Sequence, residues 1–351
     1  MSARSVFCSS IVLLAAVFAQ AASAELEVLA EFDERPGNPA VGADGTIYVS
    51  MHPFDAPDIK VVRIDEEGGA TPYPDEEIAR SFAAVIGIAA TRDGVLWVLD
   101  MGSPEQSPKL FGWNTRTNRL ETVYYIPREA SVANSFFQDL AIDQTRKRAF
   151  IADMSRSDLV GESLPAIVVV DLETGAIRRR LEGHPLLQAK GEQRAEGQPM
   201  SFTGPDGVAQ PLQLGLNPIG IDELDRYVYF STIASGPVYR VAAETLGDPK
   251  LSDEEIADAI EEFGQKPTSD GIAVAGETVY ITDVDGSAIL ALTADGLTTV
   301  SDDPRLIWPD AIAIDGQGAL VATGNQLNRT PPFNGGESGA EPPFLLVRIK
   351  P

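Results

Sequence analysis

The sequence has one cysteine, Cys8, and two histidines, His52 and His184, among 351 residues. A lone thiol forms no internal disulfide or thiolate cage, and two imidazoles cannot complete a three-histidine metal centre. Basic residues are scarce, with 27 Lys and Arg against 52 Asp and Glu and a formal charge of −25. Such a surface repels nucleic-acid phosphates and anionic lipid, so no nucleic-acid partner is expected. Past residue 24 there is no apolar run of about 18 residues, so no stable membrane insertion is expected either. Phosphate-binding glycine loops, His-Glu-x-x-His and Gly-x-Ser-x-Gly are also missing. What remains for chemistry is oxygen: carboxylates, amides and hydroxyls, suited to proton transfer or to a divalent cation such as Ca2+.

The N-terminus reads as a secretory signal over residues 1–24. Arg4 is its basic end, the run from Ile11 to Phe18 its apolar segment, and Ala22-Ser23-Ala24 its cleavage site. A secreted or periplasmic protein spanning residues 25–351, a single domain and a monomer, is the expectation.

Six copies of one pattern fill that span: a small-residue apolar run, a turn, then a more aromatic run. Val41-Gly42-Ala43-Asp44-Gly45 leads into Thr46-Ile47-Tyr48-Val49-Ser50, and Ile86-Gly87-Ile88-Ala89 reaches Val95-Leu96-Trp97-Val98-Leu99-Asp100 across Asp93-Gly94. Further copies begin at Asp139, Asn217, Asp270 and Asp310. Units of about 40 to 50 residues with several strands each fit propeller blades, and the fold expected is all-β, a six-bladed β-propeller. The runs Leu26-Glu27-Val28-Leu29-Ala30-Glu31-Phe32 and Phe344-Leu345-Leu346-Val347-Arg348-Ile349 lack partners in units of their own, so both are assigned to the sixth blade, closing the ring. Two segments interrupt the pattern. Residues 186–211, rich in Gly, Gln and Pro, form a long loop able to cap one face. Ser252 with Glu255 makes a capping box, and Ile256, Ala259, Ile260 and Phe263 share a stripe, predicting one short helix over 252–263 beside the fifth blade.

In a propeller, inner-strand starts and second-strand ends share one rim. Asn38, Asp139, Asn217, Asp270 and Asp310 therefore meet Ser50, His52, Asp100, Asp153, Ser231, Asp283 and Asn325 around a central mouth, while the Asp-Gly turns go to the opposite face as turn chemistry. Convergent carboxylates and amides either raise each other's pKa or bind a hard cation, for which Asn217, Asp270 and Asp310 are the candidate ligands. Asp310 and His52 are candidate proton carriers, and Asp139, Asn217, Asp270, Asp283, Asn325 and Arg329 candidate contacts for a small-molecule ligand. The competing reading of each is structural: Asp and Asn before a strand commonly bond backbone amides.

Three motifs resemble the yellow and major royal jelly proteins, in particular bacterial members related to dopachrome tautomerase: Leu96-Trp97-Val98-Leu99-Asp100-Met101-Gly102, the stretch from Pro165 to Gly175 followed by Arg178-Arg179-Arg180, and Trp308-Pro309-Asp310. The resemblance implies export, a six-bladed propeller, and either tautomerase activity or ligand binding without turnover. More distantly, Asn217-Pro218-Ile219, Asp270-Gly271-Ile272 and Asp310-Ala311-Ile312 resemble the inner-strand starts of calcium-dependent lactonases of the gluconolactonase and regucalcin type. That likeness implies a metal-assisted lactone or ester hydrolase, although Gly37-Asn38-Pro39 stands where those enzymes carry Glu-Gly-Pro, so their first-blade glutamate has no counterpart.

Overall fold

The structure is a computed structural model that describes residues 24–204 and 206–351. The expected export segment lies outside the described residues, apart from its last position. Six four-stranded antiparallel sheets form the ring. Blade 1 runs through Pro36–Val41, Ile47–Met51, Val61–Ile64 and Ala70–Pro72, and blade 2 through Val85–Ala90, Val95–Asp100, Lys109–Asn114 and Arg119–Tyr125. Blade 3 takes Phe137–Asp143, Arg148–Asp153, Ala166–Asp171 and Ile177–Arg180, and blade 4 Leu216–Ile221, Tyr227–Thr232, Gly236–Ala242 and Glu261–Lys266. Blade 5 is Ile272–Ala275, Thr278–Asp283, Ala288–Thr293 and Gly296–Asp302. In blade 6, Pro309–Ile314, Leu320–Gly324 and Phe344–Ile349 are completed on the outside by Leu26–Phe32, so the two ends of the ring are hydrogen-bonded together as expected.

The core sits between blades. Phe150, Ile167, Phe230 and Val241 pack blade 3 on blade 4, and Tyr48, Phe82, Val98 and Trp113 pack blade 1 on blade 2. Each inner strand lies against the next, and the sixth against the first. Small residues permit that approach. A Cβ on Gly87 would collide with the backbone of Gln138 and Asp139, and one on Gly271 with the backbone of Asp310 and Ala311. Second-strand hydroxyls tie neighbouring blades: Ser50 Oγ donates to the Ile86 carbonyl at 2.6 Å, and Thr323 Oγ1 to that of Gly37 at 2.6 Å.

The helix expected over 252–263 is shorter and lies elsewhere. Ser252 and Glu255 do form the capping box, but the helix covers Asp253–Asp258, and its Ile256 packs into the core between blades 3 and 4. Residues Glu261–Lys266 are instead the outer strand of blade 4, where Phe263 meets the Tyr229 ring edge-on at 5.3 Å. Cross-strand pairing with Gly236–Arg240 outweighs the helical spacing of Ile260 and Phe263. Glu76–Ser81 and Ala243–Leu246 are further short helices.

The segment 186–211 is not featureless. It folds into two small hairpins, Arg194–Ala195 with Gln198–Pro199 and Ser201–Thr203 with Ala209–Pro211, which pair with no blade. Met200, Phe202, Leu212 and Leu214 bury against Met154, Ile233, Val284, Trp308 and Leu327, the residues that leave or enter blades 3 to 6 on the strand-start face. The hairpins thus roof that side of the ring.

Candidate functional site

Four inner strands slip register where they carry a polar residue: between Pro36 and Pro39, between Phe137 and Asp139, between Leu216 and Ile219, and between Pro309 and Ile312. A bulge bends the strand and re-aims a side chain that regular alternation would send into a neighbouring blade. Asn38, Asp139, Asn217 and Asp310 sit at these irregularities, and Asp270 lies just before Ile272–Ala275. All five are buried.

The side chains interlock across the ring. Asn38 Nδ2 donates to Asp139 Oδ1 at 3.0 Å, bridging blades 1 and 3. The Asn217 amide donates to Asp270 Oδ1, and Trp308 Nε1 donates to Asp270 Oδ2 at 2.6 Å. Asp310 lies close enough to Asp270 for each carboxyl to act on the other's proton affinity. Because both oxygens of Asp270 already accept N–H donors, the proton of this carboxyl pair belongs on Asp310. Asn217 Oδ1 and Asp310 Oδ2 are buried without any partner, as are the amide oxygens of Gln138 and Asn325.

Burial shifts every titratable group of the cluster. It pushes Asp139 up to about 8, and the nearby Asp270 charge adds to this. Burial raises Asp270, and raises Asp310 well above the usual carboxylate range with help from the Asp270 charge. The two buried cations nearby are engaged elsewhere. Arg35 Nε donates to the Asn325 carbonyl at 2.6 Å and its Nη1 pairs with Asp55. Lys266 Nζ donates to the carbonyls of Ala234 at 2.9 Å, Pro267 at 3.1 Å and Ile233 at 3.4 Å, and burial lowers it to about 7.

The other sequence candidates have different surroundings. His52 is buried, its Nδ1 accepts the Phe54 amide at 3.3 Å, and desolvation followed by the Arg35 charge lowers it to about 3, so it is neutral at pH 7. Asp283 accepts the Gly286 amide at 3.0 Å within a turn. Asn325 donates to the Pro36 carbonyl at 3.3 Å, close to Asp310's side of the ring. Arg329 pairs with Glu196 of the roof at 2.6 Å. Asp100 and Asp153 brace loops: Asp100 pairs with Lys109 at 2.6 Å and accepts the amides of Ala83, Ala84 and Gly102, while Asp153 pairs with Arg179 at 2.5 Å. Sequence reasoning took Trp308 only as a motif residue and overlooked Arg35 and Lys266; one signal for Trp308 was a bulky aromatic two residues before Asp310.

A mouth open on the strand-start side was expected, but Trp308 and the roofing hairpins cover it. The open space lies on the other side. A cavity of about 990 Å³ follows the inner strands from Asn38 and Asp139 to the turn residues Ala43, Asp44, Arg92, Glu223 and Gly316. The Asp-Gly turns therefore rim the cavity as well as reversing the chain.

Residues 83–331 match the major royal jelly protein family. The chain belongs to that family. No match was found among curated proteins. Solved structures similar to this royal jelly family member include a gluconolactonase from Xanthomonas campestris, with 13% identity, 93% of this chain and 90% of that one covered, and a TM-score of 0.58. A luciferin-regenerating enzyme aligns at 13% identity over 94% and 96%, with a TM-score of 0.57. Regucalcin from Agrobacterium tumefaciens strain C58, described as a calcium-binding protein, aligns at 16% identity over 93% and 95%, with a TM-score of 0.54. At these identities the likeness is one of fold. Among the described residues no helix is long and apolar enough to cross a membrane.

Whether the axial cluster suits a cation turns on its donors. Among the described residues no three His, Cys, Asp or Glu side chains converge to hold a metal. A site built on Asp270 and Asp310 therefore needs the amide oxygen of Asn217, and that oxygen, like Asp310 Oδ2, is left without a partner. The set is all hard oxygen, fitting Ca2+ in donor type.

Proposed function

We propose that this protein is an exported propeller that binds a small polar carbonyl compound at its axis and hydrolyses an ester or lactone bond, with a divalent cation on Asn217, Asp270 and Asp310. The observation that carries this reading is the unpartnered pair Asn217 Oδ1 and Asp310 Oδ2, buried acceptors joined through Asp270 with no donor facing them. Leaving such atoms unmet costs about 1–3 kcal/mol each, and a cation removes that cost. The calcium-binding description of the regucalcin neighbour and the gluconolactonase neighbour support the same chemistry. A divalent ion, when bound, supplies polarisation of a carbonyl oxygen and a more acidic water.

The chain's own residues supply the rest. Trp308 Nε1 and the Asn217 amide hold Asp270 in place through both of its oxygens. Asp139, raised to about 8, changes charge near neutral pH, which supports a role for it as the group that takes a proton from water and returns it to a leaving oxygen. The roof keeps bulk water off the strand-start side.

A second reading, proton transfer within an enolisable compound as in a tautomerase, is favoured by one feature: burial and the neighbouring Asp270 charge raise Asp310 well above the usual carboxylate range, so a protonated acid stands beside a carboxylate. Hydrolysis of a lactone and ester panel separates the readings. Turnover with Ca2+ that EDTA abolishes supports the hydrolase. EDTA-insensitive isomerisation supports the tautomerase, and ligand affinity without turnover makes the protein a binder.

A further inference from the structure

The axial carboxyls have two sides, and they are unequally closed. On the strand-start side Trp308 is buried beneath Met200, Phe202, Leu212 and Leu214. That roof is fastened at its edge: Glu196 accepts from Arg329 Nη2 at 2.6 Å and from Asn328 Nδ2 at 2.7 Å, and Asp285 accepts the Gly197 amide at 2.7 Å and pairs with Arg194 at 3.3 Å. On the turn side the cavity runs along the inner strands and ends at the Asn38–Asp139 bond, where its lining includes Ile219, Ile272 and Ala311. Asn217, Asp270 and Asp310 stand one or two residues before these along the chain and do not themselves line it.

We infer that ions and substrate reach the axial carboxyls from the turn face, through this channel and past the Asn38–Asp139 bond, and not past the roof. The inference rests on the axial site proposed above and adds its entrance and the size of what enters. A strand of six residues spans about 20 Å, so 990 Å³ spread over that length leaves a mean width of about 8 Å. That volume accommodates a hydrated cation or a molecule built on a single small ring. Its rim favours cations: Asp44 and Glu223 line it, Asp315 is paired with Arg348 at 3.6 Å, and the guanidinium of Arg92 is already held by Asp225 Oδ2 at 2.9 Å.

Gly316 offers a clean place to block the rim. It is exposed, lines the cavity, has no positive φ, and a Cβ there meets nothing within 4 Å. The probe is Tb3+, followed by stopped flow through indole-sensitised emission in a Cys8→Ser, Trp97→Phe, Trp113→Phe background, in which Trp308 is the remaining indole. Disulfide-linking a bulky thiol reagent to Gly316→Cys is expected to slow terbium association about tenfold or more, restored when a reductant releases the reagent. Glu196→Gln, which loosens the roof, is expected to leave the rate unchanged. An unchanged rate in the labelled protein, or faster association in Glu196→Gln, overturns the route while leaving the axial site standing. No terbium emission in the unlabelled protein sinks the axial site itself, and the route with it.

Discussion

Two sets of aspartates look alike in the sequence, since both flank strands on the same rim, yet they live in opposite surroundings. Asp153 is surrounded by donors: Arg179, the Ser135 hydroxyl at 2.6 Å, and the amides of Phe136 at 2.8 Å and Ser155 at 2.9 Å. Asp100 has Lys109 and three amides. Asp139, Asp270 and Asp310 are as deeply placed; Asp139 accepts from Asn38 and Leu140, and Asp270 from Asn217 and Trp308. But no Lys or Arg forms an ion pair with them among the described residues, each faces another carboxyl's charge, and Asp310 Oδ2 is unpartnered. A buried carboxylate encircled by donors fixes a loop, whereas one facing other carboxyls holds a proton or awaits a cation. The contrast separates scaffold from site without reference to any relative.

Its sharpest test is at the scaffold end. Asp153→Ala leaves Arg179 with Glu182 at 2.5 Å as its remaining ion pair and frees the Ser135 hydroxyl and two amides, donors whose loss of a partner costs about 1–3 kcal/mol each, so it is expected to cost about 3–5 kcal/mol, read as a lowered denaturant midpoint. A loss below about 1 kcal/mol would erase the distinction.

At the axial end the sign reverses. Asp139→Asn keeps an oxygen for the Asn38 and Leu140 donors and removes the titration. With a folded pKa near 8 against an unfolded value of about 3.9, the stability that Asp139 gains by holding its proton is complete below pH 4 and lost as pH rises through 8. The variant should therefore melt above the wild type, by a gap of several degrees that widens from pH 5 to pH 8. His52 and Lys266 titrate in both proteins and cancel in the difference. A gap independent of pH would contradict the assignment.

The ring itself was legible because a propeller repeats one period six times, and the inner-strand alanines and glycines announce close approach: Gly87 and Gly271 are where neighbouring backbones touch. The convergence of Asn217, Asp270 and Asp310 followed from topology alone. What lay beyond the sequence was long-range. The roofing hairpins have no periodicity of their own and are held by Asp285 and Arg329, about 90 and 130 positions away along the chain. Nothing local told Asp153 from Asp139 either, because Arg179 reaches Asp153 from two strands further on. Phe263 carries a spacing that suits helix and strand alike, and only the partner strand decides between them.

The central claim, that the axial oxygens form a cation site, is tested most directly by calorimetric titration of Ca2+ into wild type and Asp310→Asn. Saturable binding of one ion to the wild type, with proton release and a weakened or lost signal in the variant, is the predicted result. No heat and no change in melting temperature for the wild type across millimolar Ca2+ would contradict it.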